Sequence, residues 1–370
     1  MIAVDDLAAL VVGAVDLRHE SDGVVPLRLP GTARRDFPGP GIDWISTDAA
    51  GVRLRFVTAA TAITLEATFT RNRARVRPAW PIVLVCAGQR VTLDEGTMLV
   101  VDVDGSVTTE PGGPSVVRFD IGGDGAPRIV ELWLPHTAQV LLHSLSADAS
   151  IEPAPAPDAP VWIHHGSSIS HGLETDGPLA SWPMQASRAL GLELLNLGFA
   201  GNAMLDPFVA RAIAARPADV ITLKLGINIV NGAAMTERTF VPALHGFLDL
   251  VREGHPTTPV ALVTAIACPI HEETAGPTVE ESPGRFSAAG TGTLTLARTR
   301  SLIGAVVAAR ADPQLHLVDG LGLFGPDDAG LLYDNLHPDQ AGHDLMASRF
   351  AALARSGDGP LGAAFASVLR

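Results

Sequence analysis

Along residues 1 to about 150, apolar and polar positions alternate with a period of two. In GVRLRFVTAATAITLEATFTRN, Leu54 and Phe56 fall on one face of a strand, and the alternation resumes at Ile63, Leu65 and Ala67. The runs PIVLVC, RVTLDEG, TMLVVDVDG, VVRFDIGGDG, RIVELWLP and AQVLLHSLSAD follow, with turn residues between them. Short alternating runs separated by turn signals predict an all-β, jelly-roll-like sandwich over residues 1–151, with no long amphipathic helix. Residues 152–160 read EPAPAPDAP. Alternating proline favours an extended backbone and excludes a helix interior, so this segment is the expected linker.

From residue 161 to 370 the rhythm changes. VWIHH, LELLNL, DVITLKL, TPVALVTAIA and LHLVDG are short apolar strands. Between and after them lie segments of helical period: SWPMQASRAL, DPFVARAIAARP, TERTFVPALHGFLDLVREG, TGTLTLARTRSLIGAVVAARAD and HPDQAGHDLMASRFAALARSG. Ser181 and Asp206 are expected helix caps, and Pro338 is expected in the first turn of the last helix. Five strand–helix alternations predict a three-layer αβα, flavodoxin-like domain around a five-stranded parallel sheet. In such sheets function gathers at the carboxyl ends of the strands.

Composition narrows the partners. A formal net charge of −14 argues against nucleic acid or an anionic membrane. No run is long enough to span a bilayer. Asp5 and Asp6 stand where a secretory signal needs basic residues, so a cytoplasmic protein is expected. The only cysteines, Cys86 and Cys268, lie in apolar runs and are expected as buried free thiols.

Four polar stretches each follow a strand: HHGSSISH at 164–171, GFAGNAM at 198–204, GINIVNG at 226–232 and DNLHPD at 334–339. Parallel topology puts all four at one sheet edge. A serine hydroxyl needs a base to become a nucleophile. His337 fits that role, and Asp334, one turn away, can hold its imidazole. Asp339 is a nearby rival carboxylate. For a tetrahedral intermediate, the candidate donors are the N–H of Ser168, the N–H of Gly201 and the side-chain amide of Asn228. Asn202 and Asn231 are rival amides.

These stretches resemble the blocks of the SGNH (GDSL) esterases and acyltransferases. Gly166-Ser167-Ser168-Ile169 stands for the family's Gly-Asp-Ser-Leu, Gly201 for its second-block glycine, Gly226-Ile227-Asn228 for its Gly-x-Asn, and Asp334-Asn335-Leu336-His337-Pro338 for its Asp-x-x-His-Pro. The resemblance spans residues 160 to about 356 and implies Ser168 as nucleophile. Two departures are Ser167 for the first-block Asp and Ile229 for an Asp that often follows Asn228.

The implied activity is ester hydrolysis on small-molecule or carbohydrate esters, with no cofactor. A second reading passes the acyl group to a sugar or polyketide hydroxyl. A third, of another class, is a carbohydrate-binding protein with an inactive C-terminal domain, for which Trp80 and Trp133 are candidate stacking residues. His164, His165 and His171 raise the question of a metal, but neighbouring strand residues face opposite ways and no carboxylate or cysteine sits at ligand spacing. No metal is expected. The long segment 267–291 is expected as a loop, acting as a lid over the acyl pocket.

Overall fold

The computed structural model describes residues 2–3, 6–36, 40–74, 79–102, 106–282 and 284–369. Asp5 and the turn residues expected at 103–105 therefore lie outside the described residues. The chain divides into two units: Met1–Asp158 with Asp176–Leu179, and Ala159–Thr175 with Ala180–Arg370.

The first unit is β-rich. One sheet runs in the order Val107–Glu110, Thr97–Val101, Ile63–Ala74, Gln139–Ala147, Gly23–Leu27, Asp16–Glu20, with Ile2–Ala3 and Ser115–Phe119 pairing beside it. The other runs Ile151–Pro153, Arg53–Thr58, Arg128–Trp133, Ile82–Cys86, Gln89–Leu93, with Val11–Val12 on the second of these. The alternation works as predicted: Leu54, Phe56, Ile63, Leu65, Ala67 and Phe69 are all fully buried in one core that draws on both sheets.

Three features depart from the sequence reading. Ile63–Ala74 pairs in parallel with Thr97–Val101, so the unit is not wholly antiparallel. Two one-and-a-half-turn helices, Gly31–Asp36 and Pro40–Ile45, interrupt it. Glu152 and Pro153, expected in the linker, pair with Val57 and Phe56. Pro153 is tolerated there because its strand lies at a sheet edge.

The second unit is the predicted three-layer domain. Its strands are β1 (Val161–Gly166), β2 (Glu193–Gly198), β3 (Val220–Lys224), β4 (Val260–Val263) and β5 (Leu315–Val318), all parallel, in the order 2-1-3-4-5. β3 and β4 are buried along their whole length, as a doubly covered sheet requires. The helices are α1 (Ser168–His171), α2 (Trp182–Leu190), α3 (Pro207–Ala214), α4 (Ile227–Asn231), α5 (Glu237–Gly254), α6 (Leu296–Arg310), α7 (Gln340–Arg355) and α8 (Gly359–Phe365). The short α1 and α4, and the last helix, α8, lie beyond the predicted set. Strand order reverses between β1 and β3, and the crevice at such a switch point is where ligands bind.

Local expectations fare unevenly. Ser181 and Asp206 occupy the cap positions, but neither side chain makes a capping bond. Pro338 precedes the helix instead of opening it; Asp339 is the cap, accepting from Gly342 N at 2.9 Å. Cys86 and Cys268 are buried and free, with burial pushing each thiol up to about 12. Among the described residues, no helix is long and apolar enough to cross a membrane.

Candidate active site

The tip of β1 sets the site. Ser167, extended and fully buried, starts α1: its carbonyl accepts from Ser170 N at 3.0 Å and His171 N at 2.9 Å. Ser168 is thus the first residue of a single helical turn. That turn ends at Gly172, whose φ of 85° and N–H bond to Ser168 O (2.7 Å) close it. β2 clamps the turn from the side. Asn196 Nδ2 donates to Ser170 O (3.0 Å), Gly198 N donates to Asn196 Oδ1 (2.8 Å), and Phe199 N donates to Gly166 O (2.8 Å). A Cβ on Gly198 would lie 2.4 Å from His171 N and 2.5 Å from Ser170 C, so glycine there is what lets the turn seat.

The loop after β5 delivers the other two groups. Asp334 is 2% exposed; its Oδ1 accepts from Leu336 N at 2.9 Å and His337 N at 2.7 Å. Its Oδ2 lies 2.7 Å from His337 Nδ1. Burial opposes the charge on Asp334, but the bond from the His337 ring, its charge and the two backbone donors outweigh that and hold the carboxyl below its ordinary range. An ionised Asp334 fixes the proton on Nδ1, which leaves the Nε2 lone pair facing Ser168 Oγ at 3.0 Å. The rival Asp339 is spent on its cap.

Tyr333 stacks on the His337 ring (6.4 Å, 26°) and Phe286 meets it edge-on (6.1 Å, 71°). Phe286 belongs to a segment expected as a loop. It contains a hairpin, Thr278–Ser282 with Arg285–Ala288, that docks on the loop carrying Asp334 and His337: Phe286 N donates to Asp334 O, and Asn335 Nδ2 to Phe286 O, both at 3.0 Å. The hairpin satisfies its own backbone groups, which is how so long a connection stays ordered.

Of the proposed oxyanion donors, Asn228 is the second residue of α4, which follows Gly226, whose φ of 120° makes the turn. Asn228 Oδ1 accepts from Ala203 N at 3.0 Å, which orients the NH2 end the other way and ties the second and third stretches together. Gly201 has φ 69°, and a Cβ there would meet nothing within 4 Å. Backbone conformation, not crowding, explains this glycine. Asn202 Nδ2 is committed to Ala200 O at 2.6 Å.

The three histidines of the first stretch are buried, and His164 and His165 face apart. His164 bonds Thr222 Oγ1 (2.6 Å) and Ser170 Oγ (2.7 Å), among Trp162 and Trp182. His165 faces the other way, with Nδ1 2.7 Å from Leu197 O and its ring against Phe247 and Phe199. Burial pushes His165 down to about 4 and His164 well below its usual value. Two groups were not singled out in the sequence. Lys224, at the end of β3, is fully buried with no hydrogen-bond partner for Nζ among the described residues; burial, then the Arg300 charge, pushes it down to about 8. Glu174, in the turn after α1, puts Oε1 3.7 Å from His337 Nε2.

A parallel-sheet domain with a serine–imidazole–carboxylate chain at its switch point defines a class: the serine hydrolases of flavodoxin-like fold. The comparisons make this particular. Residues 165–345 match the model of the GDSL-like lipase/acylhydrolase family, and residues 10–143 match the SsfX3 N-terminal domain. The chain is therefore an ester-acting enzyme carrying a GDSL-like lipase/acylhydrolase domain. Among solved structures it is similar to the salicylyl-acyltransferase SsfX3 from a tetracycline biosynthetic pathway: TM-score 0.78, 25% identity, covering 100% of this chain and 98% of that one. It also resembles a protein from Bacteroides ovatus described as a GDSL-like lipase (0.64, 18%, covering 94% and 95%). A family two carbohydrate esterase from Clostridium thermocellum, solved as an active site mutant, has the same fold (0.59, 14%, covering 94% and 98%). No curated protein sequence matches the chain.

Proposed function

We propose that this protein is a serine-dependent acyl hydrolase that forms an acyl-enzyme on Ser168. The observation that carries this reading is the continuous relay Ser168 Oγ–His337 Nε2–Nδ1–Asp334 Oδ2, at 3.0 and 2.7 Å, with Asp334 buried and held ionised. Ser168 Oγ attacks the ester carbonyl as its proton passes to Nε2. The carbonyl π pair moves onto oxygen, where Ser168 N–H, Gly201 N–H and the Asn228 amide stabilise it; loss of one such donor typically costs about 3 kcal/mol. The tetrahedral species collapses, and His337 gives its proton to the departing alkoxide. Water, deprotonated by His337, then attacks the acyl-enzyme; the Ser168 Oγ–acyl bond breaks, His337 returns the proton to Oγ and the acid is released. The protein groups in every step belong to the second unit.

A fluorophosphonate probe tests this directly. It should label Ser168 in the parent and fail on Ser168→Ala and on His337→Ala, and Ser168→Ala should lose turnover of a short p-nitrophenyl ester. Full activity in Ser168→Ala would end the proposal. The same labelling experiment separates it from a carbohydrate-binding protein with an inactive domain.

A second reading is favoured by a specific observation: the first unit matches the N-terminal domain of SsfX3. In this reading an alcohol replaces water in the second step and the product is a new ester. Tyr333 and Phe286 offer π faces beside His337 that suit an aromatic acyl group. Mass spectrometry of products from salicylyl and aliphatic donors, with sugar or polyketide alcohols present, decides: ester over acid supports transfer.

A further inference from the structure

We infer that Glu174 is a second carboxylate of the acid–base machinery, a positioning residue that stabilises the charge on His337 while Nε2 carries the Ser168 proton. The inference rests on the roles proposed above for Ser168 and His337. Glu174 Oε1 lies 3.7 Å from Nε2, and its side chain is only 5% exposed. The turn that carries it is fixed at both ends. Gly172 N is bonded to Ser168 O, and Thr175, itself buried, bonds Gly172 O through both its N–H (3.1 Å) and its Oγ1 (2.7 Å). Glu174 is therefore held relative to the nucleophile by the same short loop, six residues on.

The two carboxylates address different nitrogens in different ways. Asp334 is hydrogen-bonded to Nδ1 at 2.7 Å. Glu174, at 3.7 Å from Nε2, is beyond hydrogen-bond reach. Its effect is Coulombic. It favours the imidazolium without capturing Nε2–H, which stays aimed at Ser168 Oγ and then at the departing oxygen. During attack, the Oγ–H proton goes to Nε2, the Oγ–carbon bond forms and the π pair goes to the carbonyl oxygen; Glu174 neither gains nor loses a proton.

The groups facing the ring are Asp334 and Tyr333 from its own loop, Phe286 from the hairpin, Ser168 from α1 and Glu174 from the turn. Behind Asp334, Cys268 Sγ lies 3.6 Å from Asn335 O, and its thiol is pushed up to about 12 by burial and then by Glu272. It stays neutral. Among the described contacts of the ring, Glu174 and Asp334 are the anionic groups placed to act on the imidazolium.

The test is the pH profile of kcat/KM in Glu174→Gln, with Glu174→Asp as the conservative partner and thermal melts of both. The acid limb should move to lower pH by about one unit in Glu174→Gln, and kcat should fall about tenfold with KM little changed. Glu174→Asp should restore part of both. An unchanged acid limb overturns the inference whether or not activity falls, because a merely structural role would lower the amplitude and leave the midpoint. A rise confined to the KM for the ester overturns it too, and assigns Glu174 to substrate binding. Should Glu174→Gln not fold, the midpoint of Glu174→Asp alone decides: a midpoint equal to the parent's overturns it. Failure of the underlying reading looks different: the parent itself would not take the fluorophosphonate label on Ser168.

Discussion

His165 makes the second unit sensitive to acid in a way that can be calculated. Its Nδ1 faces the Leu197 carbonyl at 2.7 Å, so Nδ1 carries the proton and Nε2 is bare. Nε2 is buried with no hydrogen-bond partner among the described residues, and the ring packs on Phe247 and Phe199. Protonation would place a charge where nothing receives it. Burial accordingly lowers the folded-state value from 6.5 to about 4. The unfolded chain takes the proton first. The stability carried by the neutral ring is complete above pH 6.5 and falls as pH drops toward 4. At about 1.4 kcal/mol per pH unit, about 2 kcal/mol is lost between pH 7.5 and pH 5. Asp48 and Asp206, raised by burial to about 7 and about 6, contribute with the opposite sign, so the informative quantity is a difference between variants. His165→Phe keeps the ring and removes the titration. It should cost about 1 kcal/mol at pH 7.5 for the lost bond and then escape the acid loss. Urea unfolding at pH 7.5 and 5.0, read by hydrogen exchange of the β1 and β2 peptides, reports this unit alone. If parent and variant lose the same stability within about 0.5 kcal/mol, the burial argument is refuted.

Two further predictions concern glycine and asparagine positions. Gly198→Ala drives a Cβ into the backbone of α1 at 2.4–2.5 Å; with backbone as the obstacle, Ser168 must move, and esterase activity should fall at least a hundredfold while β-sheet circular dichroism persists. Retention of a tenth of the parent rate would show that the turn is more pliant than its clamps suggest. Asn335 sits at φ 73° between Asp334 and the hairpin. Asn335→Gly should be more stable than Asn335→Ala by about 1 kcal/mol in thermal unfolding, because alanine pays the left-handed strain and glycine does not; the side-chain bond to Phe286 O is lost in both and cancels, so the reverse order would refute the strain argument.

The sequence by itself determined the layers. Period-two alternation placed Leu54, Phe56, Ile63 and Leu65 in one core because side chains on a strand must alternate faces. Five apolar strands separated by helical periods left little choice but a doubly covered parallel sheet, and parallel direction sends every strand's carboxyl end to one edge. The meeting of Ser168, Asp334 and His337 was legible for that reason, although 169 residues separate the serine from the histidine. Tertiary structure alone decided what local spacing leaves open. It separated Asp334, which meets the imidazole, from Asp339, which caps a helix. It oriented the Asn228 amide through Ala203. It turned the expected open loop into a hairpin whose strands pair with each other and whose Phe286 docks on the Asp334–His337 loop, a partnership no local pattern encodes. It brought Glu174 to Nε2, which nothing around an isolated glutamate in HGLETDG signals. A period records which face a residue takes; which distant atom it then meets depends on how the sheet order folds the loops together.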